Sequence, residues 1–155
     1  MISEDSRYRY FLSRTLSPVG KRVAFVGLNP STADEKINDP TIRRCMDFAV
    51  RWGGCSLWMV NLFAYRATKP SVLQSVLDPI GEHADAWLDA VVSQADIVVA
   101  AWGNHGQYMN RAASVLAKHG HKLTALTLTK RGMPGHPLYI KAETKPVALL
   151  PRKVS

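Results

Sequence analysis

The stretch Val23-Ala24-Phe25-Val26-Gly27-Leu28-Asn29-Pro30-Ser31 is a run of apolar, β-favouring residues that ends abruptly in a turn. Gly27 permits backbone angles that are closed to other residues, and Pro30 fixes its own φ and favours an extended Asn29. The stretch therefore predicts a buried strand with Asn29 at its carboxyl end. In open α/β sheets, ligands bind in the crevice outside that end.

Apolar runs and helical periodicity predict further elements along the chain. The expected strands cover residues 22–26, 56–63, 96–101 and 122–128. The expected helices run from Asp39-Pro40 to Gly53-Gly54, over 71–77, over 82–94, and through Tyr108 and Leu116. Residues 7–14 fit either an edge strand or a short helix. Their interleaved arginines and tyrosines could also pair with phosphates and stack on bases, although an edge element that caps the sheet is the preferred interpretation. Strands that alternate with helices predict an α/β fold of three layers, αβα, around a four-stranded parallel sheet.

The net charge of +8 is concentrated near the carboxyl end. Residues 111–155 hold 9 basic side chains against Glu143 alone, whereas residues 1–110 hold 11 basic and 11 acidic ones. This asymmetry favours a polyanionic partner, nucleic acid before membrane, although a solvated basic tail that aids solubility would look the same. Residues 141–155 are expected to form a basic, flexible tail.

Length and composition favour one globular domain over residues 1–155. No apolar run is long enough to span a bilayer, and the N-terminal residues lack the features of a signal peptide. Cys45 and Cys55 lack metal-ligand spacing and are interpreted as buried small hydrophobes. We expect a cytoplasmic monomer without metal or cofactor.

A polar motif lies within or after each expected strand. The motifs are Asn29-Pro30 after the first, Asn61 within the second, Trp102-Gly103-Asn104-His105-Gly106 after the third, and Gly135-His136-Pro137-Leu138 after the fourth. Asn61 either satisfies neighbouring backbone or offers a donor and an acceptor to a ligand. A phosphate-binding glycine loop is absent from the sequence.

The order and spacing of these motifs resemble the uracil-DNA glycosylase superfamily. The chain also resembles a family of small bacterial and phage proteins of unknown function, through residues 28–34, 38–45, 60–64 and 135–139. The glycosylase resemblance implies strand order 2-1-3-4. It also implies a nucleic-acid base N-glycosidase that acts in DNA repair on a flipped pyrimidine or modified base, with DNA preferred to RNA.

The resemblance also implies roles for individual residues. Asn29 would place the attacking water, Asn61 would read the base edge, and His136 would stabilise charge on the leaving base. Leu28 and Phe63 are further residues expected to bind the base. The residues expected at the nucleic-acid backbone are Ser31, Arg43, Arg44, Lys130, Arg131 and Leu138.

Departures from the glycosylase pattern leave alternatives open. Asn29 is not a carboxylate, so it can orient water but cannot remove its proton; Asp34 or Glu35 in the adjoining loop is then a candidate catalyst. The family's Ser-Pro after Pro137 is also missing. A non-catalytic module that binds nucleobases or nucleic acid, or a nucleoside or nucleotide hydrolase, therefore remains an alternative function.

Overall fold

A computed structural model describes residues 1–149 as one mixed sheet with helices on both faces. The strands are β1 Leu12–Thr15, β2 Lys21–Gly27, β3 Gly54–Asn61, β4 Ile97–Ala100, β5 Thr124–Ala125 and β6 Val147–Ala148. The α-helices are α1 Pro40–Arg51, α2 Ala84–Gln94 and α3 Arg111–His119. Four short 3₁₀ helices cover Pro70–Ser75, Asn104–Asn110, Gly120–Lys122 and Pro137–Tyr139 among the described residues.

The sheet has six strands in the order β1-β3-β2-β4-β5-β6. The four inner strands pair in parallel, while β1 runs antiparallel to β3 and β6 runs antiparallel to β5. The expectation of a four-stranded, wholly parallel sheet of order 2-1-3-4 is therefore wrong for the sheet as a whole, because it lacks both antiparallel edge strands. Strand β6 lies in the segment expected as a tail, of which residues 150–155 lie outside the described residues.

Strand β2 is buried on both faces because helices cover both sides of the sheet. Val23 and Phe25 pack with the buried face of α1, whereas Ala24 and Val26 pack with α2 and α3. All four side chains are 0% exposed. This explains the uninterrupted apolar run, since a strand covered on both faces does not alternate between apolar and polar residues.

Helix α1 begins where the sequence predicts. The Asp39 carboxylate accepts a hydrogen bond from the Ile42 backbone N–H at 2.9 Å, and Pro40 occupies the first turn, where its missing N–H costs nothing. The helix ends at Arg51 with Trp52 as its C-cap, followed by Gly53 with φ of +77°. The start of α1 therefore lies at the carboxyl edge of the parallel strands.

The helix expected through Tyr108 and Leu116 is interrupted. Tyr108 is extended, and Met109 and Asn110 adopt positive φ values of 56° and 54°, so the α-helix starts only at Arg111. Among residues 1–149, no helix has the length and apolar character that crossing a membrane requires.

The packing of α1 against the sheet yields a first prediction. Leu57 on β3 is 0% exposed beneath α1, so Leu57→Ala should lower the free energy of unfolding by about 2–5 kcal/mol through lost burial and a cavity. Urea unfolding measures this change. Leu77 is fully exposed, and Leu77→Ala should alter stability by less than about 0.5 kcal/mol. Equal losses in the two variants would contradict the packing.

Candidate functional site

A cavity of about 580 Å³ opens at the carboxyl edge of the parallel strands. The segment after β2, the end of β3, the segment after β4 and residues 136–139 form its walls, and Asp39 and Thr41 at the start of α1 complete them. Arg9, which precedes β1, also lines the cavity. Its size falls within the range of about 300–1,000 Å³ that small-molecule sites occupy.

Half of the residues predicted for the site line this cavity. They are Leu28, Asn29, Ser31, Asn61, His136 and Leu138. The other predicted residues do not line it: Asp34, Phe63, Arg43, Arg44, Lys130 and Arg131. The sequence motifs therefore converge on one place, while all four predicted cations lie elsewhere.

The Asn29 side chain is tied to two backbone carbonyls. Its Nδ2 donates to the oxygen of Pro30 at 3.0 Å and to the oxygen of Ala67 at 2.8 Å. Because both partners are acceptors, the amide nitrogen must face them. Within residues 1–149 no donor reaches Oδ1, so this oxygen is available to a water or a ligand.

Asn61 lies at the end of β3, opposite Gly27 in the register of β2 and β3. A Cβ atom at position 27 would lie 2.7 Å from Asn61 Oδ1, so the amide occupies space that only glycine leaves open. Asn61 is 7% exposed, and its buried Nδ2 has no hydrogen-bond partner among the described residues. A buried donor without a partner is costly, and a ligand acceptor would remove that cost.

Trp102 presents a second such donor. Its indole lines the cavity and is 1% exposed, and no acceptor among residues 1–149 reaches Nε1. Gly106 packs against this ring, since a Cβ there would lie 2.3 Å from the ring's Cδ1. The indole is thus held in place with its polar atom unused.

His136 is half-buried and caps the 3₁₀ turn Pro137–Tyr139. Its Nδ1 accepts the backbone N–H of Leu138 at 3.3 Å. In the neutral ring the proton therefore lies on Nε2. Burial lowers the pKa of His136, and the nearby Asp39 charge opposes this shift only in part. The neutral imidazole, a donor through Nε2–H, is the favoured form.

Asp39 and Arg9 are cavity residues that were not among the predicted site residues. Asp39, interpreted only as a helix cap, is the one carboxylate that lines the cavity among the described residues. Its Oδ1 accepts from Ile42 and its Oδ2 accepts from the Ala33 N–H at 3.3 Å. Arg9 is 2% exposed, and burial lowers its pKa to about 10, so it stays cationic at neutral pH.

The remaining predicted residues have other surroundings. Asp34 accepts from the backbone N–H groups of Lys36 and Ile37, and these bonds lower its pKa. Phe63 is fully buried in the core, where its ring packs against Tyr108. Arg44 donates to the Ile140 carbonyl and lies over Phe48.

Three of the predicted cationic residues are exposed. Lys130 and Arg131 lie in an exposed turn, and Arg43 is exposed on α1. No cluster of three or more potential metal ligands occurs in the part of the chain that the structure describes.

Comparison with known proteins assigns the chain to a family. The family described as a protein of unknown function (DUF1643) matches residues 9–138. The chain belongs to the DUF1643 family. The matched region begins at Arg9 and ends at Leu138, so in this DUF1643 protein it contains every cavity residue except Tyr139. No curated protein and no solved structure matched the chain.

The tie of Asn29 to two carbonyls yields a second prediction. Asn29→Asp replaces the donor with an acceptor beside two carbonyl oxygens, and should lower the free energy of unfolding by about 1–3 kcal/mol. Asn38→Asp is the matched control, because Asn38 Oδ1 already accepts from Arg14 Nε at 2.7 Å. Chemical unfolding of both variants should show a loss for position 29 alone. A stable Asn29→Asp variant would contradict the assigned amide orientation.

The buried imidazole yields a third prediction. The pKa of His136 in the folded protein is lowered below 6.5, so the stability that its neutral ring contributes is present above pH 6.5. That stability is lost as the pH falls through the lower folded pKa. NMR titration, with His136→Gln to assign the resonance, should give a midpoint below 6.5. A midpoint above that value would show that the charged ring is the favoured one.

Proposed function

We propose that this cavity binds a flipped pyrimidine or modified base and hydrolyses its N-glycosidic bond, as a uracil-DNA glycosylase-like enzyme. One observation carries the proposal. Asn29, Asn61 and His136, which come from three separate segments of the chain, line a single cavity. The parallel pairing of β3, β2, β4 and β5 supports the proposed relationship, because it brings these segments to one edge.

Base recognition rests on Asn61 and the apolar walls. A side-chain amide can pair with a carbonyl and an N–H on the edge of a pyrimidine. The unpartnered Nδ2 of Asn61 supports a carbonyl acceptor at this position. Leu28, Met59 and Trp102 supply apolar surface on which a flat ring can pack.

Bond cleavage requires stabilisation of charge on both fragments. The C1′–N bond breaks, its electron pair stays on the base, and water adds to the cationic C1′. The Nε2–H of neutral His136 donates to the oxygen on which the base's negative charge develops. Asn29 Oδ1 accepts a hydrogen of the attacking water, and Asp39 takes up the proton that the water releases.

Nucleic-acid contacts would come from the rim of the cavity and the exposed cations. Leu138 and Tyr139 line the cavity and are 42% and 88% exposed, although both are large. Lys130 and Arg131 are exposed in the turn that precedes this segment. These features support DNA as the partner, with binding that weakens as salt is raised.

A binding module is the second candidate. Both oxygens of Asp39 already accept a hydrogen bond from a backbone N–H. The amide nitrogen of Asn29 already donates to two backbone carbonyls. These contacts favour a cavity that holds a base without cleaving its bond. Both candidates require base recognition, and they differ only in whether the bond breaks.

Base release from oligonucleotides gives a fourth prediction and separates the two candidates. Single- and double-stranded substrates that carry uracil or modified bases should release free base and leave alkali-labile sites. His136→Gln should slow release by about 10²–10³-fold, because one oxyanion donor is lost. Asp39→Asn, which retains a good helix cap, should slow it by about 10²–10⁴-fold through loss of the base.

The control is His121→Gln, which changes an exposed histidine outside the cavity and should leave the rate unchanged. Binding without release over the whole panel would sink the enzyme proposal and leave the binding module. If Asn61→Leu left every affinity unchanged, base recognition by Asn61 would be wrong in both candidates.

A further inference from the structure

Arg9 is a buried cation without an ion-pair partner. It is 2% exposed and lines the cavity, yet it forms no ion pair with any carboxylate of residues 1–149. Its Nη1 donates to the Ala33 carbonyl at 3.0 Å, whereas its buried Nε has no partner. Buried arginines are ordinarily paired, because an uncompensated charge in a protein interior is costly.

The surroundings of Arg9 increase the demand for an anion. Burial is the main cause that lowers the pKa of Arg9; the Asp39 charge raises it, and the charges of Arg66 and Arg14 lower it further. The Asp39 carboxylate serves the backbone instead, at Ile42 and Ala33. Among the described residues, Arg9 is the one lysine or arginine that lines the cavity, so its guanidinium is the cationic group that can meet a ligand there.

The neighbouring polar groups point the same way. The buried cavity atoms that lack a partner among the described residues are Arg9 Nε, Asn61 Nδ2 and Trp102 Nε1, and all three are donors. A ligand that satisfies them must be rich in acceptors. A base with exocyclic carbonyl oxygens supplies some of these acceptors, and an anionic group beside it supplies the remainder.

We infer that the cavity contains an anion subsite at Arg9 that takes the phosphate of a nucleotide whose base faces Asn61. The base half of this inference rests on the proposed function, whereas the phosphate half rests on Arg9 alone. Guanidinium groups suit phosphate because their planar fork donates two parallel hydrogen bonds. The phosphate belongs either to a free nucleoside monophosphate or to the end of a strand.

Calorimetric titration and thermal shift of the full chain test the subsite. The probes are inorganic phosphate, ribose 5-phosphate, uridine and uridine 5′-monophosphate. The monophosphate should bind at least about 10-fold more tightly than uridine, since hydrogen bonds to charged groups exceed neutral ones. A 5′-phosphorylated oligonucleotide compared with its unphosphorylated form tells a strand end from a free nucleotide.

Variants then assign the effect to Arg9. Arg9→Gln should abolish the preference for the monophosphate, and Arg9→Lys should retain part of it because the charge survives without the fork. Arg7→Gln is the matched control, because Arg7 is exposed and pairs with Asp5 outside the cavity. The comparison of uridine with its monophosphate on the unaltered chain needs no variant to fold.

Each outcome decides between the two parts of the inference. If uridine and its monophosphate bind equally, or if no phosphate compound binds, the anion subsite is wrong. It is also wrong if Arg7→Gln weakens phosphate binding as much as Arg9→Gln does. If ribose 5-phosphate binds through Arg9 as tightly as uridine 5′-monophosphate, the anion subsite stands and the nucleobase function fails.

Discussion

The close approach of Gly27 to Asn61 sets the position of the Asn61 amide in the cavity wall. These residues are paired in the parallel register of β2 and β3, and a side chain at position 27 would occupy the place of the Asn61 amide. The register continues past both strands, because Leu62 N–H donates to the Gly27 carbonyl and Phe63 N–H donates to the Leu28 carbonyl, each at 2.9 Å. The segments after β2 and β3 therefore stay paired beside the Asn61 amide, and both segments line the cavity.

The sequence predicts those elements whose own residues carry a clear pattern, such as an uninterrupted apolar run or a helix-capping pair. Strand β2 is apolar on both faces because helices cover both, and α1 begins at Asp39-Pro40 because that pair satisfies its first turn. The edge strands have no such pattern. Strand β6 has two residues, both exposed, and it exists through pairing with β5 across more than 20 residues of chain. The break before α3 likewise depends on positive φ at Met109 and Asn110. Neither residue is a glycine, so the sequence does not predict this break.

The convergence of Asn29, Asn61 and His136 is predictable because carboxyl ends of parallel strands share one edge. The inward position of Arg9 is not predictable in that way. It lies in a stretch of alternating arginine and tyrosine that reads as an exposed edge, yet it is buried and donates to the Ala33 carbonyl. Asp39 was not predicted as a site residue because its role as the N-cap of α1 is already a sufficient reason for a carboxylate at this position. Phe63 shows the opposite case, where a residue beside a motif belongs to the core.

The placement of the carboxylate links the chemistry of the cavity to its folding. Asn29 donates to two carbonyl oxygens, so a carboxylate at that position would face two acceptors and could not replace it without strain on the loop. In the proposed enzyme, a general base must therefore come from elsewhere in the cavity, and among the described residues Asp39 is the carboxylate that lines it. Because Asp39 also caps α1, the same helix terminus holds the cavity wall and carries the carboxylate on which the proposed cleavage depends.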